Sequence, residues 1–395
     1  MSVWNHRVVR GALRLTAPAE GWIRPGLRSS PVAAGSVLVL EYLLPLGNLI
    51  HMTPVFEAMK RRERPLTITV ATRGLGLGVL EHSPFVDHLI ETPDPLANLS
   101  QTTASLRAQL AAQGLRPDGC MTGVADQRTK IALLALRASS GWRGGFTLLP
   151  QLYQHPLVND KSRSLIANNL QLANLVGAPT ELLEPRVFYS AADVAHAHTL
   201  LDPLRAEGRK VLAVVSQNSG GQRTGWHADR WIRAMRHAHD KLGYELAFMG
   251  TADEVEVIDS LRAGAFTDGT LLGRSLAGRT SVTQLAATLA MSDLVLTLDT
   301  GTMHVGRTTG VPMVVLGPSW QKPHEWLPLG KPHIAILRGE DRIGIPENYM
   351  LDEISAESVI AALDRLGTSY PASEASRTER IQASLSKVDL LARQL

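Results

Sequence analysis

Twice along this chain a short apolar run gives way to a longer stretch whose apolar residues recur with helical spacing, and then to another apolar run. Strand–helix–strand units of this kind build a parallel sheet with helices on both faces, which constrains the fold more than any other feature. The first series opens with a strand over 37–40 and a helix over 48–62. It continues with a strand over 66–71, a short helix over 74–82, a strand over 86–90 and a helix over 96–113. The second series runs through a strand over 210–216, a helix over 228–242, a strand over 245–249 and a helix over 253–263. A short helix over 281–290 and strands over 294–298 and 313–316 complete it.

Between about 177 and 192 the pattern breaks into proline- and serine-containing segments, and 395 residues exceed what one hydrophobic core usually organises. The expected division is a basic arm over 1–35, one Rossmann-like domain over 36–190 and a second over 191–350. Helices over 351–395 follow and are expected to cross back to the first domain. The fold class is therefore α/β, with two Rossmann-like parallel-sheet domains facing a central cleft, and ligands are expected at the carboxyl ends of the strands.

Cys120 is the sole cysteine, so an intrachain disulfide and a thiolate metal cage are both excluded. The first 30 residues lack the apolar core of a signal peptide, and no run of about 18 apolar residues occurs, so a cytoplasmic location is expected. The opening segment sets Arg7, Arg10, Arg14, Arg24 and Arg28 against Glu20, with Trp4 and Trp22 among them. Arginines interleaved with tryptophan suit a peripheral contact with an anionic membrane surface, the inner membrane being the candidate; the alternative is an arm packed on the first domain. The net charge of +3 is mild and no nucleic-acid motif accompanies it, so nucleic acid is not an expected partner.

Three strand-to-helix loops carry candidate chemistry. In the first, the strand over 294–298 ends in Asp299, Thr300, Gly301 and Thr302, with His304 following. Backbone amides at a helix start, two hydroxyls and a glycine that permits close approach suit a phosphate; the plain alternative is a βα turn capped by Asp299. The second loop runs from Ser216 through Arg223 and Thr224 to Trp226, and Arg223 can neutralise a diphosphate leaving group or simply face water. The third joins Glu41 to His51 through Gly47 and Asn48. Here Asn48 is the candidate helix cap, while Glu41 and His51 are the titratable groups able to serve as general base.

Taken together, these segments resemble glycosyltransferase family 9, the bacterial heptosyltransferases. Leu46, Gly47, Asn48, Thr53 and Pro54 are similar to the family's L-G-D turn and T-P helix, and 82–90 is similar to its N-P-x-V-D segment. Trp226 and Trp231 match its W-P-x-x-x-W helix start, 249–254 its strand-to-helix turn near the nucleoside, and 276–281 its L-x-G-x-T-S element. The block 292–304 with Gly310, Pro312 and 316–318 completes the order.

The resemblance spans about 36–335 and implies a GT-B fold and an inverting transfer without metal or other cofactor. The first domain would take the acceptor, a glycan or glycolipid as in lipopolysaccharide biosynthesis. The second would hold a nucleotide-sugar donor, with an ADP-sugar carrying a heptose-like group favoured. By the same analogy Asp299, Thr300, Gly301 and His304 lie around the donor diphosphate, Thr280 near the base, and Asp253 or Glu254 at the ribose.

Departures from the pattern accompany it. The family's catalytic aspartate is Asn48, and an amide cannot accept a proton as a carboxylate does. The phosphate-binding lysine is Thr224, with Arg223 adjacent, and the basic residue of the first loop is missing near Tyr42. Two functions follow: an enzyme whose base is Glu41 or His51, or a degenerate sugar-nucleotide-binding protein.

Overall fold

The computed structural model describes residues 30–43, 45–179, 181–218, 224–265, 270–342, 344 and 349–386. The basic arm, with Trp4 and Trp22, and Arg223 lie outside these. The chain divides into two compact units at Pro185 and Arg186.

The first unit runs β1 (Ser36–Leu40), α1 (Leu46–Lys60), β2 (Thr67–Thr72), α2 (Leu75–Leu80), β3 (His88–Glu91) and α3 (Leu99–Ala112). It continues with β4 (Gly119–Thr122), α4 (Thr129–Ala138), β5 (Trp142–Phe146), β6 (His155–Leu157), α5 (Leu165–Asn169) and α6 (Gln171–Leu175). Its sheet has the order β3-β2-β1-β4-β5-β6 with every pairing parallel. Strand β1 sits between β2 and β4, pairing Leu38 with Thr69 on one side and with Cys120 on the other. A central parallel strand is covered on both faces, which is why Val37 through Leu40 read as an unbroken apolar run.

Helix α1 is buried over 47–59 rather than along one stripe, and it contains Pro54. A proline inside a helix leaves the carbonyl four residues earlier without its N–H donor. That carbonyl belongs to Ile50, and the Thr53 hydroxyl donates to it at 2.9 Å. The Thr–Pro pair noted in the sequence is therefore a self-repairing helix interruption. The helix begins at Leu46 with Pro45 in the cap position, so Asn48 is its third residue and does not cap it, contrary to the expectation.

Segment 114–176, to which the sequence reading assigned no elements, contains β4 to α6. These strands escape pattern reading because β4 is four residues long and β5 carries two glycines. Gly119 is required: a Cβ there would lie 2.1 Å from the Trp142 indole.

The second unit runs α7 (Ala191–Leu201), β7 (Lys210–Val215), β8 (Thr224–Gly225), α8 (Ala228–Asp240), β9 (Tyr244–Phe248), α9 (Val255–Ala263), β10 (Arg274–Ser275) and α10 (Val282–Met291). Then come β11 (Leu294–Leu298), α11 (Gly301–Arg307), β12 (Met313–Leu316), α12 (Pro323–Trp326), β13 (Ile334–Leu337), β14 (Tyr349–Met350), α13 (Ala356–Ser369) and α14 (Glu374–Ser384). The sheet order β10-β9-β7-β11-β12-β13, again all parallel, repeats the order of the first unit. Strands β8 and β14 form a separate parallel pair.

Trp226 and Trp231 bracket the start of α8 and stack edge-on, with ring centroids 5.1 Å apart, in the core of this unit. The Trp226 indole N–H donates to Ile354 O at 2.8 Å, tying α8 to the segment that leads into α13. Both C-terminal helices pack on this unit, α13 against α8 and α14 against α10. Arg377 of α14 reaches the buried Asp293 at 2.6 Å, and Arg380 donates to the carbonyls of Ala290 and Ser292 at the end of α10. The expected crossing of the tail to the first domain extends into 387–395, outside the described residues.

Candidate functional site

Each sheet has a switch point, where successive connections leave to opposite sides: between β1 and β4 in the first unit, between β7 and β11 in the second. Such points open a crevice at the carboxyl ends of the strands. Glu41 follows β1 and Asp126 lies in the loop after β4, while Ser216 follows β7 and Asp299 follows β11.

In the second unit Asp299 is 3% exposed, and neither carboxylate oxygen has a hydrogen-bond partner among the described residues. Burial raises its pKa to about 7. His304 Nε2 is 3.8 Å from Asp299 Oδ1, beyond hydrogen-bond reach, and burial and then the charge of Arg307 bring the imidazole down to about 3. Their closeness suggests an ion pair, but both groups are driven toward neutrality. The contact is a neutral imidazole beside a carboxyl that is half-protonated near neutral pH.

Thr300, not Asp299, is the N-cap of α11 and accepts from Met303 N at 3.4 Å. Gly301 and Thr302 are the first two residues of that helix, both partly exposed. Around this turn other buried polar atoms also lack partners among the described residues: Asn218 Oδ1 after β7, Thr224 Oγ1 in β8, and Trp320 Nε1 and Gln321 Oε1 after β12. The Asn218 amide donates to the Thr224 carbonyl, holding β8 over the end of β7. Ser216 is buried, and its hydroxyl accepts from Gln217 Nε2 at 3.4 Å.

The residues expected at the nucleoside are built differently. Glu254 ends a single 3-10 turn over Ala252–Glu254, and its carboxylate accepts from Thr251 N at 2.8 Å in a capping box. That carboxylate is thus committed to the backbone, whereas Asp253 is exposed and kept low chiefly by the Thr251 hydroxyl. Thr280 is partly exposed and immediately precedes Ser281, the cap of α10. The loops after β9 and β10 touch, since Gly278 N donates to Gly250 O at 2.9 Å and a Cβ on Gly278 would lie 2.9 Å from that of Ala252.

In the first unit Glu41, Asn48 and His51 are all buried. The Glu41 carboxyl stands well above the usual carboxylate range, first because it is buried and then because Asp126 is near. That environment favours the protonated form of the carboxyl that sequence reasoning offered as a base. Asp126 was not foreseen: it accepts from Tyr42 N at 3.1 Å, with Leu43 N a second donor. Asn169, also unforeseen, accepts from Val124 N at 2.9 Å and donates to the carbonyl of His51 at 3.4 Å, pinning α1 to the loop after β4.

Two six-stranded parallel sheets in the doubly wound order, with their polar loops at the switch points, are the two Rossmann-like halves of the GT-B fold. The chain belongs to glycosyltransferase family 9 (heptosyltransferase), whose sequence profile matches residues 127–342. Every candidate in the second unit falls inside that match, while Glu41, Asn48, His51 and Asp126 precede it.

No curated protein sequence matches the chain. Among solved structures, a family 9 glycosyltransferase from Veillonella parvula is similar at 21% identity and a TM-score of 0.74, covering 85% of this chain and 98% of its own. The ADP-heptose LPS heptosyltransferase II of E. coli follows at 20% identity and 0.70, covering 85% and 100%. The E. coli heptosyltransferase WaaC with ADP-2-deoxy-2-fluoro heptose gives 15% and 0.61, covering 84% and 99%. At these identities the likeness is one of fold.

Among the described residues no helix is long and apolar enough to cross a membrane, and no group of three His, Cys, Asp or Glu side chains could hold a metal ion.

Proposed function

We propose that this protein transfers a heptose-like sugar, with inversion, from a nucleoside diphosphate donor to a hydroxyl of a glycan or glycolipid, and that ADP is the favoured nucleotide. The observation that carries this reading is the set of buried, unpartnered polar atoms at the carboxyl edge of the second sheet: both Asp299 oxygens, Thr224 Oγ1, Asn218 Oδ1 and Trp320 Nε1. Buried polar groups without partners are costly, and a polar ligand that supplies the missing bonds offsets that cost. A diphosphate at Thr300, Gly301 and Thr302 would accept from the hydroxyls and the free amides of the first turn, with Ser216, Thr224, His304 and Arg223 as further contacts. The near-neutral Asp299 would offer a hydrogen bond where a full carboxylate would repel the anion. Asp253 and Thr280 are the candidates for the nucleoside.

Loss of the leaving group leaves negative charge on the diphosphate. We assign its stabilisation to these amides and Arg223 rather than to a divalent ion. We place the protein in the cytoplasm, with the arm over 1–35 as a peripheral contact with the inner membrane.

One observation favours a second reading, a catalytically degenerate sugar-nucleotide-binding protein: Asn48 is a buried amide where the resemblance calls for a carboxylate. Calorimetric titration with ADP tests what the two readings share, because Gly301→Val fills the first position of α11 and should weaken binding at least tenfold. Unchanged affinity would place the nucleotide elsewhere. Release of ADP from ADP-heptose then separates enzyme from binding protein.

A further inference from the structure

The carboxyl edge of the second sheet carries a further polar cluster, on the side away from Asp253 and Thr280. Strand β12 runs on to Ser319, Trp320 and Gln321, and β13 runs on to Arg338 and Gly339. The Arg338 guanidinium holds the first of these loops, its Nη2 donating to the carbonyls of Pro318, Ser319 and Gln321 at 3.4, 3.3 and 3.1 Å. Glu353, in the turn between β14 and α13, is tied in as well: the hydroxyls of Ser319 and Tyr349 both donate to its Oε1. Gly339 is required beside it, because a Cβ there would lie 2.5 Å from Glu353 Cγ and 2.9 Å from Ser319 Oγ. Asp299 N donates to Leu316 O at 3.2 Å, so the cluster adjoins the turn proposed for the diphosphate.

Although these bonds fasten the cluster, each of four residues keeps one buried polar atom with no hydrogen-bond partner among the described residues: Trp320 Nε1, Gln321 Oε1, Arg338 Nε and Glu353 Oε2. All four residues are partly exposed, so these atoms lie just beneath the surface and not in the core. Their polarity narrows the ligand. An indole N–H can only donate, and an ionised carboxylate can only accept. Burial raises the Glu353 carboxyl, but the Ser319 and Tyr349 hydroxyls outweigh burial and hold it below the usual carboxylate range. A phosphate, which only accepts, would satisfy Trp320 and leave Glu353 Oε2 unpaired. A ring bearing several hydroxyls both donates and accepts, and so satisfies the two together.

The strand order agrees with this choice. With the nucleoside candidates after β9 and β10 and the diphosphate candidates after β11, the ends of β12 and β13 lie on the far side of the diphosphate. Resting on the nucleotide-sugar reading above, we propose that Trp320, Gln321 and Glu353 recognise the hydroxyls of the donor's sugar, with Arg338 positioning the loop that carries the first two. Glu353 Oε2 accepts from one hydroxyl, and the Trp320 indole N–H donates to another. The indole is steadied for this by packing against the core of the unit, and the carboxylate by the two hydroxyls on its other oxygen. Such a site rejects a sugar that lacks the matching hydroxyl, because its own buried groups are then left unpaired. The choice of sugar therefore rests on this cluster, and the turn after Asp299 takes the diphosphate common to all such donors.

Calorimetry on the full chain tests this with two probes, ADP and ADP-heptose, in the absence of any acceptor. The parent is expected to bind ADP-heptose more tightly than ADP. Glu353→Gln keeps an oxygen for Ser319 and Tyr349 but turns the other position into a donor, and Trp320→Phe keeps an aromatic ring but removes the N–H. Each should weaken ADP-heptose roughly tenfold, while ADP affinity stays within about threefold of the parent and reports that the fold survives. A parent that binds the two probes equally overturns the sugar site alone. Variants that weaken both probes to the same degree overturn it too, since a purely structural cluster behaves that way, and so do variants that keep parental affinity for ADP-heptose. A parent that binds neither probe overturns the nucleotide-sugar reading and this site with it.

Discussion

His304 Nε2 stands 3.8 Å from Asp299 Oδ1, both groups are buried, and burial makes each of them less charged than it would be in water. The consequence is a pH dependence with a definite sign. The folded Asp299 carboxyl, at about 7, binds its proton more tightly than the same group in the unfolded chain. Stability contributed by that proton is full below the unfolded carboxylate range, near pH 4, and declines as pH rises to about 7. Asp299→Asn removes the decline. We expect it to raise the melting temperature by roughly 5 °C at pH 8 and to leave it unchanged at pH 4, as read by differential scanning calorimetry. Equal shifts at both pH values would show that Asp299 ionises freely in the fold.

Nucleotide binding should follow the same group. An anionic diphosphate beside Asp299 is tolerated while the carboxyl keeps its proton and resisted once it is lost, so ADP affinity is expected to weaken between about pH 6 and pH 8. The slope should vanish in Asp299→Asn. A profile equally steep in parent and variant would move the diphosphate away from this residue.

Thr53 and Pro54 make a cleaner stability test. Thr53→Val keeps the shape of the side chain but takes the hydroxyl from Ile50 O, whose backbone donor Pro54 has already removed. The loss should be about 1–2 kcal/mol by urea denaturation. Thr53→Ser, which restores the donor, should recover most of it.

Arg377 is the 2.6 Å partner of an Asp293 side chain with no solvent exposure. Removing one member of such a pair leaves a buried charge behind. Arg377→Met is expected to cost roughly 2–3 kcal/mol, and Arg377→Met with Asp293→Asn less than the sum of the two single changes. Additive costs would mean that the ion pair contributes nothing of its own.

Chelation offers a direct check on the metal-free reading. Pre-treatment with EDTA should leave ADP release from ADP-heptose unchanged, and added Mg²⁺ or Mn²⁺ should not raise it. A loss on chelation that Mg²⁺ or Mn²⁺ reverses would require a divalent ion in the transfer step.

What could be read from the sequence depended on how local its cause was. The strands over 294–298 and 313–316 were read to the residue because each is an unbroken apolar run. The turn after β11 was legible for the same reason, since its glycine and hydroxyls follow directly on a strand. Asp126 was invisible: it sits in a stretch of short, glycine-rich strands, and its role comes from a hydrogen bond to Tyr42, 84 positions away. Glu254 shows a second local effect that the sequence hid. Its position beside a strand end suggested a ligand contact, yet its carboxylate is spent three residues back on Thr251 N. Asn48 and Asp299 were both read as caps out of place, Asn48 by three residues and Asp299 by one, because Pro45 and Thr300 hold those positions.

The second unit closes its own ends together. Tyr189 N donates to Ser384 O at 3.2 Å and Ser386 N donates to Tyr189 O at 2.9 Å, so the chain's entry into this unit is stitched to its final turn. A ribosome releases those two ends far apart in time. The first unit can fold while the second is still being made, but the second cannot complete its packing until residue 386 has cleared the exit tunnel. A stop codon in place of Arg377 would therefore cost this unit far more than a frayed tail. It would leave Asp293 and the carbonyls at the end of α10 without the arginines of α14, and it would do so in the half of the molecule where the buried polar atoms converge.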